Sequence, residues 1–246
     1  LMRTKIIPVI RLNDMDTSKK PLNLAVRAFF DNKMPQMPAF SPSELETHTL
    51  YFIEQTDIET TIKIISTLCA QRLPRSLNLN QTDIQVICLA GKGPLGAKKL
   101  NMLLQERLNK RNGGLKHNGF IFRVNEKISQ TVDNAAKKLS YGQTGMIKAI
   151  DMHKKAVHAV FNKQNVTYAF NELNEIKPAW AMPINKVNGA HKVVILPLHC
   201  DAYTNLNRMA LYSVFTSTGH ALIIVGQKRA FKIAMDNNKI KKRYTG

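Results

Sequence analysis

The stretch that most constrains the fold is Asn207–Gln227, near the carboxyl end of the sequence. Its first half carries apolar residues at helical spacing, at Met209, Leu211, Tyr212 and Phe215. Thr216–Gly219 then predicts a turn, with Gly219 in the left-handed conformation that follows many helix ends. The apolar run Ala221–Val225 predicts a buried strand, closed by Gly226, of the kind found in parallel sheets. This helix–turn–strand unit predicts an α/β fold, and its simplest interpretation is that it forms core.

Charge indicates the class of partner. The chain has 246 residues, of which 44% are hydrophobic and 22% charged, as in globular proteins. Lys and Arg outnumber Asp and Glu by 36 to 17, giving a net charge of +19, which favours an anionic partner, most often nucleic acid. The alternative is a surface of solvated lysines with no such partner. With 7% aromatic residues, base stacking is not expected to be the main mode of binding.

Several classes of protein are disfavoured by simple features of the sequence. No apolar run approaches the roughly 20 residues that span a bilayer, and the apolar part of Leu1–Pro8 is too short for a signal peptide. Three scattered cysteines, Cys69, Cys88 and Cys200, fit reduced thiols, so we expect a cytoplasmic protein without a membrane partner. His199 and Cys200 form a lone pair without a second pair at ligand spacing, so no metal site is predicted.

The first half of the sequence predicts alternating helices and strands. A strand at Ile6–Leu12 begins almost at residue 1, which suggests a piece of a longer chain. The elements predicted after it are a helix at Leu22–Phe30, a strand at Thr49–Glu54, a helix at Ile58–Leu73 between its N-cap Asp57 and Pro74, a strand at Ile84–Ala90 and a helix at Ala97–Leu108.

From Phe120 the apolar pattern changes to a period of two. Short strands are predicted at Phe120–Val124, Lys127–Val132, Gly145–Ile150, Ala156–Phe161 and Val166–Phe170. Short strands this closely spaced favour a small β-barrel. The α/β pattern then returns with a strand at Lys192–Pro197, and the chain ends in a basic helix at Lys228–Gly246. The acidic residue of this tail is Asp236 alone. Its basic residues are Lys228, Arg229, Lys232, Lys239, Lys241, Lys242 and Arg243.

Three motifs carry a resemblance to RecD-like and TraA-like superfamily 1 DNA helicases. Leu211–Gly219 resembles the helicase motif L-Y-T-A-I-T-R-A-K, and Gly93–Asn109, GPLGAKKLNMLLQERLN, is nearly a sequence of their second motor domain. Ala179–His191 resembles A-Y-A-I-T-I-H-K-S-Q-G-S-E and keeps Lys186 and Gly189. The resemblance covers essentially the whole chain from about Ile6.

The resemblance implies a RecA-like, UvrD-like C-terminal domain at residues 1–119 and 172–246. It also implies an SH3-like β-barrel inserted at residues 120–171. Within the barrel, Asn125–Ile128 is matched to the family sequence G-D-K-V and Asn134 to a turn asparagine. Tyr141–Gly145 is matched to F-N-G-D-x-G. The fold class expected is therefore a parallel sheet with helices on both faces, interrupted by a small barrel.

The chemistry of an ATP-driven helicase is incomplete in this sequence. We find no G-x-x-x-x-G-K-[ST] motif and no Asp-Glu pair after an apolar strand. The Gly91–Gly96 loop lacks the Lys-Thr or Lys-Ser pair, so it predicts a strand-to-helix turn despite Lys92. The family's γ-phosphate arginine falls on Ser217, and Arg208, nine residues upstream, is expected to point elsewhere. No catalytic residue is predicted, and the chain alone is expected to be inactive.

Three functions remain open at this point. The first is a degenerate helicase half that binds DNA, with single-stranded DNA as the expected partner, without turnover and without sequence preference. The second is the C-terminal part of an active 5′–3′ helicase, similar to exonuclease V alpha or a conjugative relaxase-helicase. Such a protein would need a separate N-terminal half for ATP and Mg²⁺, with RecBC-like subunits as further partners in recombination. The third is a scaffold without a nucleic-acid function.

Candidate site residues follow from the resemblance and from charge. Predicted DNA-binding residues are Lys98, Lys99, Lys186, Asn188, Gly189 and Thr216, together with the basic tail. Predicted remnants of the ATP cleft are Gly189, His191 and Tyr212. The alternative for Lys98 and Lys99 is solvated helix surface. Trp180 is predicted to fill the core, with base stacking as the alternative.

Overall fold

The structure is a computed structural model that describes residues 21–40, 49–110 and 113–237. Two predictions lie outside these residues: the strand at Ile6–Leu12, and the part of the basic tail from residue 238 onward.

Helices and strands alternate in the first part of the described chain, strands follow one another in the middle part, and helices and strands alternate again in the last part. The first part contains α1 (Pro21–Phe30), β1 (Thr49–Glu54), α2 (Ile58–Thr67), α3 (Leu73–Leu77), β2 (Ile84–Cys88) and α4 (Ala97–Leu108). The middle contains β3 (Leu115–His117), β4 (Phe120–Phe122), β5 (Lys127–Gln130), β6 (Thr144–Asp151), β7 (Ala156–Phe161), β8 (Gln164–Ala169) and β9 (Ile176–Pro178). The last part contains β10 (Ala181–Pro183), β11 (His191–Leu198), α5 (Arg208–Thr216), β12 (Thr218–Gly226) and α6 (Lys228–Asp236).

A parallel sheet organises the first and last parts of the chain. Its five strands lie in the order β1-β12-β11-β2-β10, and every pairing is parallel. Fully buried side chains such as Val194, Ile195 and Ile223 fill its inner strands. Helices α2, α3 and α4 pack on one face, and α1, α5 and α6 on the other. The predicted α/β class is confirmed, because only a sheet covered on both faces can use such apolar strands.

The helix predicted at Ile58–Leu73 differs from the prediction at its end. Its start is confirmed, because Asp57 accepts a hydrogen bond from the Thr60 N–H at 2.7 Å. The end was placed wrongly: a π turn at Leu68–Arg72 joins α2 to α3, which includes Pro74 in its first turn and ends at Leu77. Proline has no N–H and clashes with the carbonyl four residues back, so a widened turn before it lets the helix continue.

The turn predicted at Thr216–Gly219 is also shorter than expected. Ser217 alone caps α5, and Thr218 already belongs to β12, so Gly219 is a strand residue and not a left-handed cap. A Cβ at Gly219 would lie 3.1 Å from the His191 carbonyl oxygen. The glycine therefore permits a close approach between β12 and β11, a reason that the local sequence does not contain.

The middle of the chain forms a second, antiparallel sheet with its own core. Five strands lie in the order β8-β7-β6-β5-β9 around buried side chains that include Phe161 and Tyr168. Four of the five strands predicted here are present in this sheet: Ala156–Phe161 has the predicted ends, and the other three have shifted ends. The first, at Phe120–Val124, instead becomes β4 and pairs with β3 as a separate hairpin. The fifth strand of the sheet is β9, which lies beyond the boundary expected at residue 171.

A buried carboxylate joins the antiparallel sheet to α4 and β10. Glu126 is fully buried and accepts hydrogen bonds from Gln105 at 2.6 Å, Asn109 at 3.0 Å and the Trp180 indole N–H at 2.6 Å. Burial raises the pKa of Glu126, while these three donors act in the opposite direction. Trp180 is itself buried, which confirms its predicted place in the core and leaves no face for a base.

The next residue, Lys127, secures the same junction with a positive charge. Its side chain is almost fully buried, and its ammonium group donates to the carbonyl oxygens of Thr82 at 3.1 Å and Ile84 at 2.9 Å. Burial lowers the pKa of Lys127 to about 8. The two sheets are thus held together by buried polar contacts to backbone and amide groups.

Candidate functional site

The end of α5 places Ser217 where the resemblance puts an arginine. The Ser217 hydroxyl donates to the Ser213 carbonyl at 2.8 Å, and the exposed Thr216 hydroxyl donates to the same oxygen at 3.0 Å. Thr218 donates to the Val214 carbonyl at 2.8 Å. All three hydroxyls bond to carbonyls of their own helix, as such residues commonly do at helix ends. This position therefore serves as a local cap in the folded protein.

The motif ending at His191 lies directly beside Ser217. The backbone N–H of His191 donates to the Ser217 carbonyl at 2.9 Å. Two residues earlier, Gly189 adopts a positive φ of 75° and turns the chain into β11. Asn188 donates to the Tyr141 carbonyl at 2.9 Å. The structure therefore places Ser217 of one predicted motif next to His191, the last residue of the motif that contains Asn188 and Gly189.

Lys186 and Asn188 pack against a loop of the antiparallel sheet. A Cβ at Gly142, whose φ is +80°, would lie 2.6 Å from the Lys186 carbonyl oxygen and 2.9 Å from the Asn188 Cβ. A glycine is thus required for the loop before β6 to approach this segment. The predicted positions 186–189 lie where the two sheets meet, at the amino edge of the parallel sheet.

The His191 side chain faces a cavity between the two sheets. The cavity has a volume of about 540 Å³. Its lining includes Thr82, Asp83, Gln143, Asn188, Gly189 and Lys192. The buried His191 Nε2 has no hydrogen-bond partner, and burial together with the Lys127 charge lowers the pKa of His191 to about 4. Lys192 and Asp83 form an ion pair at 3.1 Å, so positive charge at this cavity is partly compensated.

Tyr212 is turned away from this group. Its ring packs edge-on against Phe30 of α1, with 5.2 Å between ring centroids. Tyr212 therefore packs against α1, whereas Gly189 and His191, the other predicted remnants of the ATP cleft, lie at the start of β11. The helical apolar face that identified Tyr212 is the face that packs against α1.

Arg208, the arginine nearest to Ser217 along the chain, has a structural role. Its guanidinium donates to the carbonyl oxygens of Phe29 at 2.7 Å and Phe30 at 2.9 Å, and to the side chain of Asn32. It also lies 4.9 Å from the centroid of the Phe29 ring. Arg208 caps the end of α1 and stands at the opposite end of α5 from Ser217, as the sequence predicted.

Lys98 and Lys99 lie elsewhere, at the start of α4 beside the carboxyl end of β2. Both are exposed. With Lys92 they line a cavity of about 350 Å³ between α4 and the β3–β4 hairpin. The loop before them closes on itself, since the Ala97 N–H donates to the Ala90 carbonyl at 3.1 Å. The predicted strand-to-helix turn is confirmed, and the predicted DNA-binding residues fall into two separate groups.

Two residues of this cavity were missed from the sequence. Phe120 and Met102 line it, and Phe120 belongs to the β3–β4 hairpin, whose first strand was not predicted. The missed signal is Asn118-Gly119: both residues have positive φ, at 47° and 76°, in a two-residue turn between β3 and β4. An Asn-Gly pair between short apolar runs is a strong hairpin signal.

Within residues 21–40, 49–110 and 113–237, no three His, Cys, Asp or Glu side chains come together in a group able to hold a metal ion. His199 instead contacts the Thr61 hydroxyl at 3.2 Å through Nε2. None of the helices in these ranges combines the length and apolar character needed to cross a bilayer.

Comparison with known proteins gives structural similarity at low sequence identity. No family model matches the chain. The Pif1 helicase from Bacteroides in complex with ADP-AlF3 and ssDNA is 11% identical, with a TM-score of 0.47 over 93% of this chain and 52% of that chain. A structure of two coordinating Pif1 helicases, on DNA unwinding at forked dsDNA, is 13% identical, with a TM-score of 0.41 over 80% of this chain and 52% of that one. Bacteroides Pif1 bound to ssDNA is 14% identical, with a TM-score of 0.39 over 78% of this chain and 53% of that one. The chain spans about half the length of these helicases.

Proposed function

We propose that the chain is a degenerate second RecA-like domain of a RecD-like helicase that binds single-stranded DNA without hydrolysing ATP. The antiparallel sheet corresponds in this proposal to the SH3-like insertion, with its end extended from residue 171 to β9. Two of the three motifs of the resemblance, Ala179–His191 and Leu211–Gly219, meet at the amino edge of the parallel sheet, which supports a common origin with that domain.

The observation that carries the proposal is that the α5–β12 unit is intact while a neutral serine occupies the position at which the resemblance puts an arginine. The α5–β12 unit keeps its helix, its turn and its contact with β11, but Ser217 offers only a hydroxyl that is bonded to its own helix. Arg208 is committed to the end of α1 and does not substitute for it. A neutral cap cannot stabilise charge developing on a transferred phosphoryl group, a role in which an arginine is worth several orders of magnitude in rate.

Binding to DNA makes weaker demands on geometry. Phosphate contacts supply most of the non-specific affinity and need exposed cations in sufficient number. The chain carries 36 Lys and Arg against 17 Asp and Glu, and within the described residues only Arg123, Lys137 and Lys192 are paired with a carboxylate. Most of the positive charge of the described residues is therefore not paired with a carboxylate, which supports binding to an anionic partner.

The proposal is tested by fluorescence anisotropy with labelled single-stranded oligonucleotides of two unrelated sequences, in salt from 50 to 200 mM. We expect similar affinities for both sequences and a linear fall of the logarithm of affinity with the logarithm of salt, at a slope of about −0.7 per phosphate contact. ATP hydrolysis is measured in the same buffer and should stay at the level of a protein-free blank. Absence of binding at 50 mM salt would contradict DNA binding, and DNA-stimulated hydrolysis by the chain would contradict the loss of turnover.

A further inference from the structure

The cavity beside α4 combines apolar walls with a cationic rim. Its volume is about 350 Å³, within the range of small-ligand sites. The apolar lining consists of Met102, Phe120, Ile121 and Pro178. Lys92, Lys98 and Lys99 also line it, and the described lining contains no Asp or Glu. A ligand that fits must present an apolar surface next to negative charge.

Two other cavities provide a contrast. The one at the carboxyl ends of β2 and β11 is lined by Asp201 as well as Lys92, and the one beside His191 is lined by Asp83, which is paired with Lys192. In the part of the chain that the structure describes, none of Lys92, Lys98 and Lys99 takes part in an ion pair. The cavity beside α4 is therefore the most favourable of the three for an anion.

Few backbone donors are left at the start of α4. Two of its first three amides are already used, since the Lys98 N–H donates to the Gly91 carbonyl at 3.1 Å and the Ala97 N–H to Ala90. The lysine side chains are therefore the main groups available to hold a phosphate here. Such contacts are flexible and depend on salt, in contrast to a phosphate-binding loop.

The polar side chains inside the cavity are also occupied. Asn101 donates to the Ala181 carbonyl at 2.6 Å and accepts from the Ala181 N–H at 2.9 Å. Gln105 donates to the Ile121 carbonyl at 2.7 Å and to Glu126. Few groups remain to read the edge of a base, so a ligand would be recognised by its flat apolar surface and its charge.

We propose that this cavity holds one unpaired base of single-stranded DNA, with Phe120 and Met102 against the base and Lys92, Lys98 and Lys99 against the adjacent phosphates. This inference rests on the proposed DNA binding and gives it a location. Stacking on an aromatic side chain accepts any base because every base has a π-face. The contact is thus consistent with binding that is independent of sequence.

The first experiment compares a labelled 12-nucleotide thymidine oligomer with an oligomer of the same length whose central positions are abasic. For the intact protein we expect the base-containing oligomer to bind about 5- to 100-fold more tightly, the effect of one base–aromatic contact. Phe120→Ala should reduce that ratio to near one. Tyr141→Ala, which removes an aromatic side chain that is 38% exposed outside the cavity, should leave the ratio unchanged.

The second experiment uses surface residues, so that folding is not at issue. Met102 and Met209 are 53% and 55% exposed on α4 and α5, and only Met102 lines the cavity. Met102→Glu should weaken binding at least about tenfold because it sets a carboxylate against the phosphates, whereas Met209→Glu should change affinity less than about threefold.

The outcomes separate the two proposals. If the intact protein binds neither oligomer at 50 mM salt, the proposed DNA binding itself is wrong. If it binds both oligomers, and Phe120→Ala and Met102→Glu bind like their controls, DNA binding stands and the assignment to this cavity is overturned. A loss confined to the cavity variants supports the assignment.

Discussion

The two ends of the parallel sheet differ in how their candidate residues are held. At the amino edge, Ser217 and His191 are neutral, partly buried and joined through the backbone. Beside the carboxyl end of β2, Lys98 and Lys99 are exposed and positively charged. Phosphoryl transfer requires one guanidinium at one position, so a single replacement removes it. Binding of a polyanion sums over many exposed cations, so it tolerates the loss of any one.

The largest effect is expected from reversing charge at the exposed end. Lys98→Glu with Lys99→Glu should weaken binding to single-stranded DNA at least about 50-fold at 50 mM salt, since two phosphate contacts become repulsive. The control pair is Lys63→Glu with Lys154→Glu, which are exposed on α2 and in the turn after β6. Fluorescence anisotropy measures both. Equal losses would erase the contrast between the two edges and favour a surface of evenly scattered lysines.

At the amino edge, the lowered pKa of His191 should make the free energy of unfolding depend on pH. The pKa of His191 is lowered to about 4, so between pH 6.5 and pH 4 the unfolded chain binds a proton that the native state does not. The native state must therefore lose stability as pH falls through this window, by about 3 kcal/mol at its lower end. Urea unfolding of His191→Gln should show that loss removed. His153→Gln, in an exposed turn, should keep it, and a variant curve parallel to that of the intact protein would show that His191 is not buried as a neutral group.

A smaller effect is expected at the start of α5. Arg208→Ala removes the donors to the Phe29 and Phe30 carbonyls and should lower the free energy of unfolding by about 1–2 kcal/mol. Arg229→Ala, exposed on α6, is the matched control and should have little effect. Urea denaturation measures both. An Arg208→Ala protein as stable as the Arg229→Ala control would contradict this structural role.

The smallest effect is expected at the former arginine position. Ser217→Ala removes one hydroxyl bond to the Ser213 carbonyl and should cost about 0.5–1 kcal/mol of stability, without changing DNA affinity. Thr216→Ala, which loses a similar bond from an exposed hydroxyl, serves for comparison. A marked loss of DNA affinity in Ser217→Ala alone would mean that the amino edge binds DNA and would reverse the comparison.

The spacing of apolar residues predicted helices and strands well where the residues at that spacing are the ones that the fold buries. Thr49–Glu54, Ala97–Leu108 and Ala156–Phe161 are confirmed to the residue, because each apolar run has a clear end in polar or turn residues. Errors occur where a contact distant in sequence decides. Gly219 is in a strand because β11 approaches it. The error at Pro74 has a local cause instead, since a π turn directly before α3 lets the helical path continue through the proline. Period alone also could not assign β4 to a hairpin rather than to the larger antiparallel sheet.

The sequence by itself determined the α/β class, the net positive charge, the packing of Trp180 and the absence of an arginine at position 217, because composition and period are local properties. Only the tertiary structure decided which candidates lie together. It joins Ser217 to His191, turns Tyr212 toward α1, and places Phe120 opposite Lys98 and Lys99 across one cavity. These neighbours are far apart in the chain, and their proximity depends on strand order and on the buried contacts of Glu126 and Lys127 that join the two sheets.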